Sequence, residues 1–273
     1  MDVLSVVIPT YKPEDYLFNL IIDLRNQTLS SDRFKVLIIL NGPRDPFYNK
    51  IKNWISGWSN FFLIYSDIKG VSAARNLGIQ LTEGKYLSFI DDDDSISKNY
   101  LEELFEKAKI TDSDIVQSNF KAIKGQEVND DYISNAFSAT KDQSFNLIKY
   151  RKFLSSVCGK IFKMSLLSKA KFDTSLEVAE DAVFLFSLSP HIKKMSLTSD
   201  TCIYYRNIRD GSSSRKRLEV GDVLAYFWKK LSIFSKIYFN DPRHFNFIFY
   251  LNRILAIVKI LIMDLYKIVF YSK

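Results

Sequence analysis

Four short apolar runs, "LSVVI" (4–8), "FKVLIIL" (34–40), "FFLIYS" (61–66) and "KYLSFI" (85–90), alternate with segments of helical periodicity at 14–27, 45–58 and 71–82. Strands joined through helices require right-handed crossovers, which give an α/β fold with a mostly parallel sheet covered on both faces. Ligands of such sheets bind outside the carboxyl ends of the strands. Here those ends are Pro9-Thr10-Tyr11, Asn41-Gly42-Pro43, Ser66-Asp67 and Asp91-Asp92-Asp93-Asp94, so a single polar rim is expected.

The later sequence is less regular. The polar stretch 125–143 reads as a loop, and helical pattern returns at 144–155. A strand-like "VCGKIFKM" (157–164) follows, then a helix opening near Glu180-Asp181 and a strand "TCIYYR" (201–206). From 218 the pattern is helical to the end, with 245–271 as one helix. The amino terminus, "MDVLSVVIPTY", enters a strand at once without a basic, apolar leader pattern, so secretion is not expected. Cys158 and Cys202 are too few for a disulfide framework. A reduced cytoplasmic setting is the default.

Four consecutive aspartates after an apolar strand need a physical reason. Two carboxylates about 5 Å apart repel by roughly 3 kcal/mol at an effective dielectric near 20. A helix cap, with Asp94 or Ser95 accepting from a helix that starts near 98, accounts for one or two acids but not four. An oxygen-rich cluster suits a hard divalent cation, Mg²⁺ or Mn²⁺, which borrows further oxygens from a substrate phosphate. In "GVSAARNLGI" (70–79) Ser72 reads as an N-cap, and Arg75 adds a cation one turn into a helix that follows a strand end. In "EVAEDAVFLF" (177–186) the acids are either a favourable helix start or a general base for an attacking hydroxyl.

In order and spacing these stretches resemble the inverting glycosyltransferases of family 2, which have the GT-A nucleotide-sugar-binding fold. The resemblance runs from "VVIPTYKPEDY" through "GVSAARNLGI", "GKYLSFIDDDD", "SSVCGKIFKM" and "EVAEDAVF" to "YYRNIRDGSSSR", about residues 3–215. It implies that Pro9 and Tyr11 form part of a base-binding wall and that Arg75 contacts the nucleotide. It further implies that Asp91, with Asp92 beside it, meets the ribose, and that Asp93 holds a divalent cation on the diphosphate. Asp181, with Glu180 beside it, matches the base; Arg206 and Ser212, Ser213 and Ser214 match a loop over the diphosphate. Three departures stand out. Asn41 replaces a usual aspartate facing the nucleobase, Ile68 a common asparagine, and Gly159 a larger polar residue. UDP is the default nucleotide.

Residues 1–214 carry 27 basic and 27 acidic side chains, whereas 215–273 carry 11 and 4 and so hold the whole net charge of +7. The expected layout is a catalytic domain at 1–215 and a basic helical extension at 216–273. On the last helix Asn246, Asn252, Arg253, Lys259, Asp264 and Lys267 fall on one stripe, and the rest is apolar. That pattern suits peripheral contact with the inner face of the cell membrane, with packing on the catalytic body or in a homodimer as the rival. The expected acceptor is then a lipid-linked saccharide in assembly of a bacterial surface polysaccharide such as capsule or lipopolysaccharide. A neutral body without a basic groove argues against nucleic acid. Two other classes compete: a nucleotidyltransferase, which would want a glycine-rich loop that "PTYKPEDY" lacks, and a non-catalytic nucleotide- or sugar-binding module.

Overall fold

The computed structural model describes residues 3–140, 144–176, 178–208 and 219–271. The first half follows the alternation of the sequence: β1 (Leu4–Thr10), α1 (Asp15–Arg25), β2 (Phe34–Leu40), α2 (Phe47–Trp54), β3 (Phe61–Tyr65), α3 (Val71–Leu81) and β4 (Tyr86–Phe89). β5 (Ser95–Ile96), α4 (Tyr100–Thr111), β6 (Ile115–Gln117), β7 (Asn119–Lys124), β8 (Glu127–Asn129) and α5 (Tyr132–Thr140) come next. The remainder is β9 (Lys160–Lys163), α6 (Met164–Leu167), α7 (Glu180–Leu188), β10 (Met195–Leu197), β11 (Ile203–Asn207), α8 (Val220–Asn240) and α9 (Phe247–Tyr271).

A seven-stranded sheet in the order β10-β6-β9-β4-β1-β2-β3 forms the frame. It is parallel except for β9, which runs antiparallel to both β4 and β6. Every residue of β1 is buried, as expected where both faces of a parallel sheet are covered. α3 lies against β1 at very close range: a Cβ on Gly78 would come within 2.4 Å of Val7 Cγ1, so a side chain there would force the helix off the sheet. A second sheet, β5-β11-β7-β8, pairs β11 with β7 and brings the 203–207 strand beside the acid cluster.

Three stretches differ from the sequence expectation. The polar 125–143 stretch contains β8 and α5 rather than a plain loop, because Asp131 Oδ1 accepts from the amides of Ile133 and Ser134 and starts a helix whose inner face is Ile133, Ala136 and Phe137. The 144–155 segment is not an α-helix; it ends in a 3₁₀ turn, Arg151–Ser155. Gly159 has φ +70°, and the Phe120 ring fills the space its side chain would take, which explains a glycine where a larger residue was expected.

The helical carboxyl-terminal region consists of two helices, α8 and α9, broken at 241–246. They dock on α7 through an aromatic cluster in which Phe186 meets Phe234, Phe245 and Phe249 at ring-centroid distances of 5.2, 5.1 and 5.6 Å. Arg253 departs from the outward stripe expected of it. It turns inward, and its guanidinium donates to the carbonyl of Leu154 and, at 3.4 Å, to that of Arg151. Beyond it Leu255, Ile262, Met263, Tyr266 and Phe270 are exposed. Among the described residues no helix is long and apolar enough to cross a membrane.

Candidate active site

The carboxyl ends of β1, β2 and β4, the start of α3, the start of α7 and the end of β11 open on one cleft of about 930 Å³. That volume lies within the range of small-molecule and cofactor sites. Pro9, Tyr11, Asn41, Arg75, Asp91, Asp92, Asp93, Glu180 and Arg206 all line it. Ser212, Ser213 and Ser214 lie outside the described residues.

Arg75 is the hub. It is 3% exposed, and its guanidinium reaches Asp91 at 2.9 Å, Glu180 at 3.2 Å and Asp181 at 2.5 Å, while stacking over Phe172. Burial works against its charge, but Asp181 and Asp91 outweigh that and hold it above the ordinary arginine value. The arginine therefore joins two acidic elements 90 residues apart in sequence, and its expected nucleotide contact has to share it with three carboxylates. Asp181 has both oxygens engaged, Oδ1 by Arg75 and Oδ2 by the Val157 amide at 3.0 Å. Burial nevertheless raises its pKa, with Arg75 opposing. Glu180 is raised as well, by burial and then by the Asp181 charge. Of the two, Glu180 is the one on the cleft wall.

The four aspartates are held differently. Asp91 pairs with Arg75, Asp92 accepts from the Thr10 hydroxyl, and Asp94 accepts from the Tyr204 hydroxyl at 2.6 Å and the Asn207 amide at 2.9 Å. The Asp93 carbonyl accepts from the Asn207 side chain. None of these is a helix cap: α4 begins only at Tyr100, behind Asn99. Burial, then the charges of Asp91 and Asp93, push Asp94 well above the carboxylate range. Among the described residues no three His, Cys, Asp or Glu side chains are grouped to hold a metal by themselves. A cation that takes one or two protein carboxylates and completes its shell with diphosphate and water would fit this donor set.

Other expectations are modified. Ser72 does not cap α3; Gly70, at φ +105°, occupies that position, and the Ser72 hydroxyl is buried without a partner among the described residues. Asn41 donates one amide hydrogen to the Gly70 carbonyl at 2.8 Å, which leaves its carbonyl oxygen and its second amide hydrogen uncommitted to that contact. Ile68 is exposed. Arg206 is braced by Asp131 at 3.1 Å and stacks over Phe120. Thr10, Lys12, Lys69 and Asn207 also line the cleft and had not been singled out. For Asn207 the one available signal was its place directly after Arg206.

Acids at a parallel strand end thus meet an acidic helix start at one cleft. The profile of glycosyl transferase family 2 matches residues 5–176, and the chain belongs to that family. It is 29% identical over 212 residues to a poly(ribitol-phosphate) beta-glucosyltransferase of Bacillus spizizenii, covering 76% of this chain and 33% of that protein. It is also 29% identical over 219 residues to the poly(ribitol-phosphate) beta-N-acetylglucosaminyltransferase TarP of Staphylococcus aureus, covering 78% of this chain and 65% of that protein. The chain thus spans less than two thirds of the length of these curated relatives. Among solved structures, S. aureus TarS 1–349 in complex with UDP-GlcNAc superposes with a TM-score of 0.72 at 23% identity, covering 86% of this chain and 66% of that one. At that identity the likeness shows the fold, which is the GT-A architecture the sequence resemblance implied.

Proposed function

We propose that the protein is an inverting glycosyltransferase that moves a hexosyl or N-acetylhexosaminyl group from a nucleotide sugar, UDP-linked in the first instance, to an acceptor hydroxyl. The observation that carries this reading is the facing of two acidic elements across Arg75 at one cleft. The Asp91–Asp93 side lines the cleft with carboxylate oxygens, which suit a hard cation shared with a diphosphate. On the other side Asp181 and Glu180 supply carboxylates for the acceptor. In this reading Asp181 takes the proton of the attacking hydroxyl, and Arg75 and the Val157 amide fix the carboxylate's orientation. Pro9, Tyr11 and Asn41 hold the base, Asp91 and Asp92 the ribose, and Arg206 the diphosphate, aided by Ser212 and Ser213. When bound, Mg²⁺ or Mn²⁺ supplies positive charge to the departing diphosphate.

We place the catalytic domain at 1–215 and the helical extension at 216–273. The named relatives act on poly(ribitol-phosphate), which supports a surface glycopolymer as acceptor. The exposed Leu255, Ile262, Met263 and Phe270 beside Lys259 and Lys267 support peripheral contact with the inner membrane face, where a lipid-linked polymer would be met. Arg253 no longer counts toward that contact. The first test is thermal shift with a panel of nucleotides, with and without Mn²⁺. Stabilisation by UDP or a UDP-sugar that needs the metal is expected, and a flat response to every nucleotide would return the protein to the non-catalytic class. The second is co-sedimentation with anionic vesicles of wild type and of Leu255→Gln/Ile262→Gln. Salt-sensitive binding lost in the variant is expected; a stable dimer that ignores vesicles would make this face a subunit contact.

A further inference from the structure

The 3₁₀ turn 151–155 and the two residues after it are held from three sides. From α5, the Tyr132 hydroxyl lies 2.8 Å from Ser155 Oγ. From β9, the ammonium of Lys160 donates to the carbonyls of Phe153 and Ser156. From α9, Arg253 donates to those of Leu154 and Arg151. Lys160 is fully buried, which lowers its pKa to about 7, and the hydrogen bonds of Lys160 and Arg253 run to backbone carbonyls. Both are therefore committed to backbone oxygens. Such carbonyls at the end of a short helix have no partner of their own and must be satisfied from elsewhere. The same segment ends at Val157, whose amide donates to Asp181 Oδ2 at 3.0 Å. Burial lowers Arg253 to about 10 without discharging it at neutral pH, so the clamp is a charged donor.

We propose that Arg253 is a positioning residue for Asp181: by fixing the turn that carries the Val157 amide, it makes the orientation of the acceptor-side carboxylate depend on the docking of α9. The inference rests on the reading of Asp181 as the base. Asp181 is held by two donors at right positions for a fixed carboxylate, Arg75 and Val157. Arg75 is part of the buried hub, whereas the Val157 amide is placed by the turn before it and by the Phe89–Cys158 bridge after it. A helix none of whose residues lines the cleft thus sets one of the two bonds that orient the base. It also gives a physical route by which an event on the exposed side of α9 reaches the chemistry.

The test uses the full chain and compares Arg253→Met, which keeps the length and loses the donors, with Arg253→Lys, which keeps a charged donor. Amide hydrogen exchange is followed in the peptide spanning 151–158, and steady-state transfer is measured in parallel. The expected result for Arg253→Met is faster exchange confined to 151–158, a kcat lowered about tenfold and a donor KM within about twofold of wild type. Arg253→Lys should recover most of both signals. The proposal is overturned if exchange in 151–158 and kcat are unchanged in Arg253→Met, or if exchange rises evenly across the sheet, which is the mark of a merely structural residue. Should Arg253→Met not fold, the exchange and kcat of Arg253→Lys and Arg253→Gln carry the same decision, with the order Lys above Gln required. Asp181→Asn serves as the control: retained transfer there would remove the base assignment, while the exchange result would still report on the Arg253 clamp.

Discussion

The carboxylates on the two sides of Arg75 are chemically alike and physically unlike. Glu180 and Asp181 are packed under the buried arginine, and Asp181 also accepts from the Val157 amide. Of Asp91 to Asp94, Asp91 meets the outer nitrogen of that arginine, while Thr10 donates to Asp92 and Tyr204 and Asn207 donate to Asp94. A carboxylate held on both oxygens, as Asp181 is, is suited to stay in place. A run of carboxylates along a cleft wall is suited to meet a cation that arrives with a ligand. Arg75 touches both sides, and removing it should have the largest effect of any single change.

Arg75→Met leaves Glu180 and Asp181 buried without a counter-charge. Breaking a buried ion pair from one side typically costs about 3–5 kcal/mol, so urea unfolding should shift by that order. A loss under about 1 kcal/mol would mean the acids simply take up protons, and Arg75 would not be what supports them. Next in size, Asp181→Asn should lower transfer by on the order of 10²-fold while donor binding stays near normal. Transfer that survives there but vanishes in Glu180→Gln would move the base to the residue on the cleft wall. Asp93→Ala should act on the opposite side only. Calorimetry is expected to show metal-dependent nucleotide affinity falling by roughly tenfold or more, with little change in the metal-free background. Equal affinity in wild type and variant would reduce the cluster to a structural turn.

The same contrast has a pH signature. Burial raises Asp181 against the opposition of Arg75, and raises Glu180. A base works deprotonated, so kcat/KM should fall as pH drops through the folded value, with an acid limb above the ordinary Asp range near about 3.9. Stability runs the other way. Between the unfolded and folded values the native state holds protons that the unfolded chain has released, so the pair's contribution is full below roughly pH 4 and is lost as pH rises through the folded values. Asp181→Asn should flatten that slope in denaturation measured across pH.

The strand ends were legible because a parallel sheet writes itself as apolar runs that stop at polar residues, and β1 to β4 follow the quoted runs closely. The acid cluster was legible for the same reason. Its internal wiring was not: Tyr204 and Asn207 lie more than 100 positions from Asp94, and no local pattern announces that β11 will run beside it. The contact of Arg75 with Asp181 is hidden likewise by a separation of 106 residues. α5 was missed because its polar flanks outweigh three buried apolar side chains. Arg253 misled for a sharper reason. Periodicity places a residue on a face, but a cation on an otherwise apolar helix can as well satisfy buried carbonyls as meet water, and here it does the former.

The smallest expected effect is also the finest probe of the two-sided arrangement. The Tyr204 hydroxyl is fully buried, donates to Asp94 Oδ2 at 2.6 Å and accepts from the Asp91 amide at 3.2 Å. Tyr204→Phe removes both bonds and keeps the ring, and of the Arg75 carboxylate partners it reaches Asp91 but neither Glu180 nor Asp181. An unsatisfied buried acceptor costs about 1–3 kcal/mol, and the low end is expected because Asn207 still donates to the other Asp94 oxygen. The loosened backbone at Asp91 to Asp94 should weaken donor binding severalfold while kcat at saturating donor is kept, since the Asp181 side is untouched. Donor KM and kcat measured together decide it. A kcat that falls with KM unchanged would show that the two sides are mechanically one unit, and the division drawn at Arg75 would have to be given up.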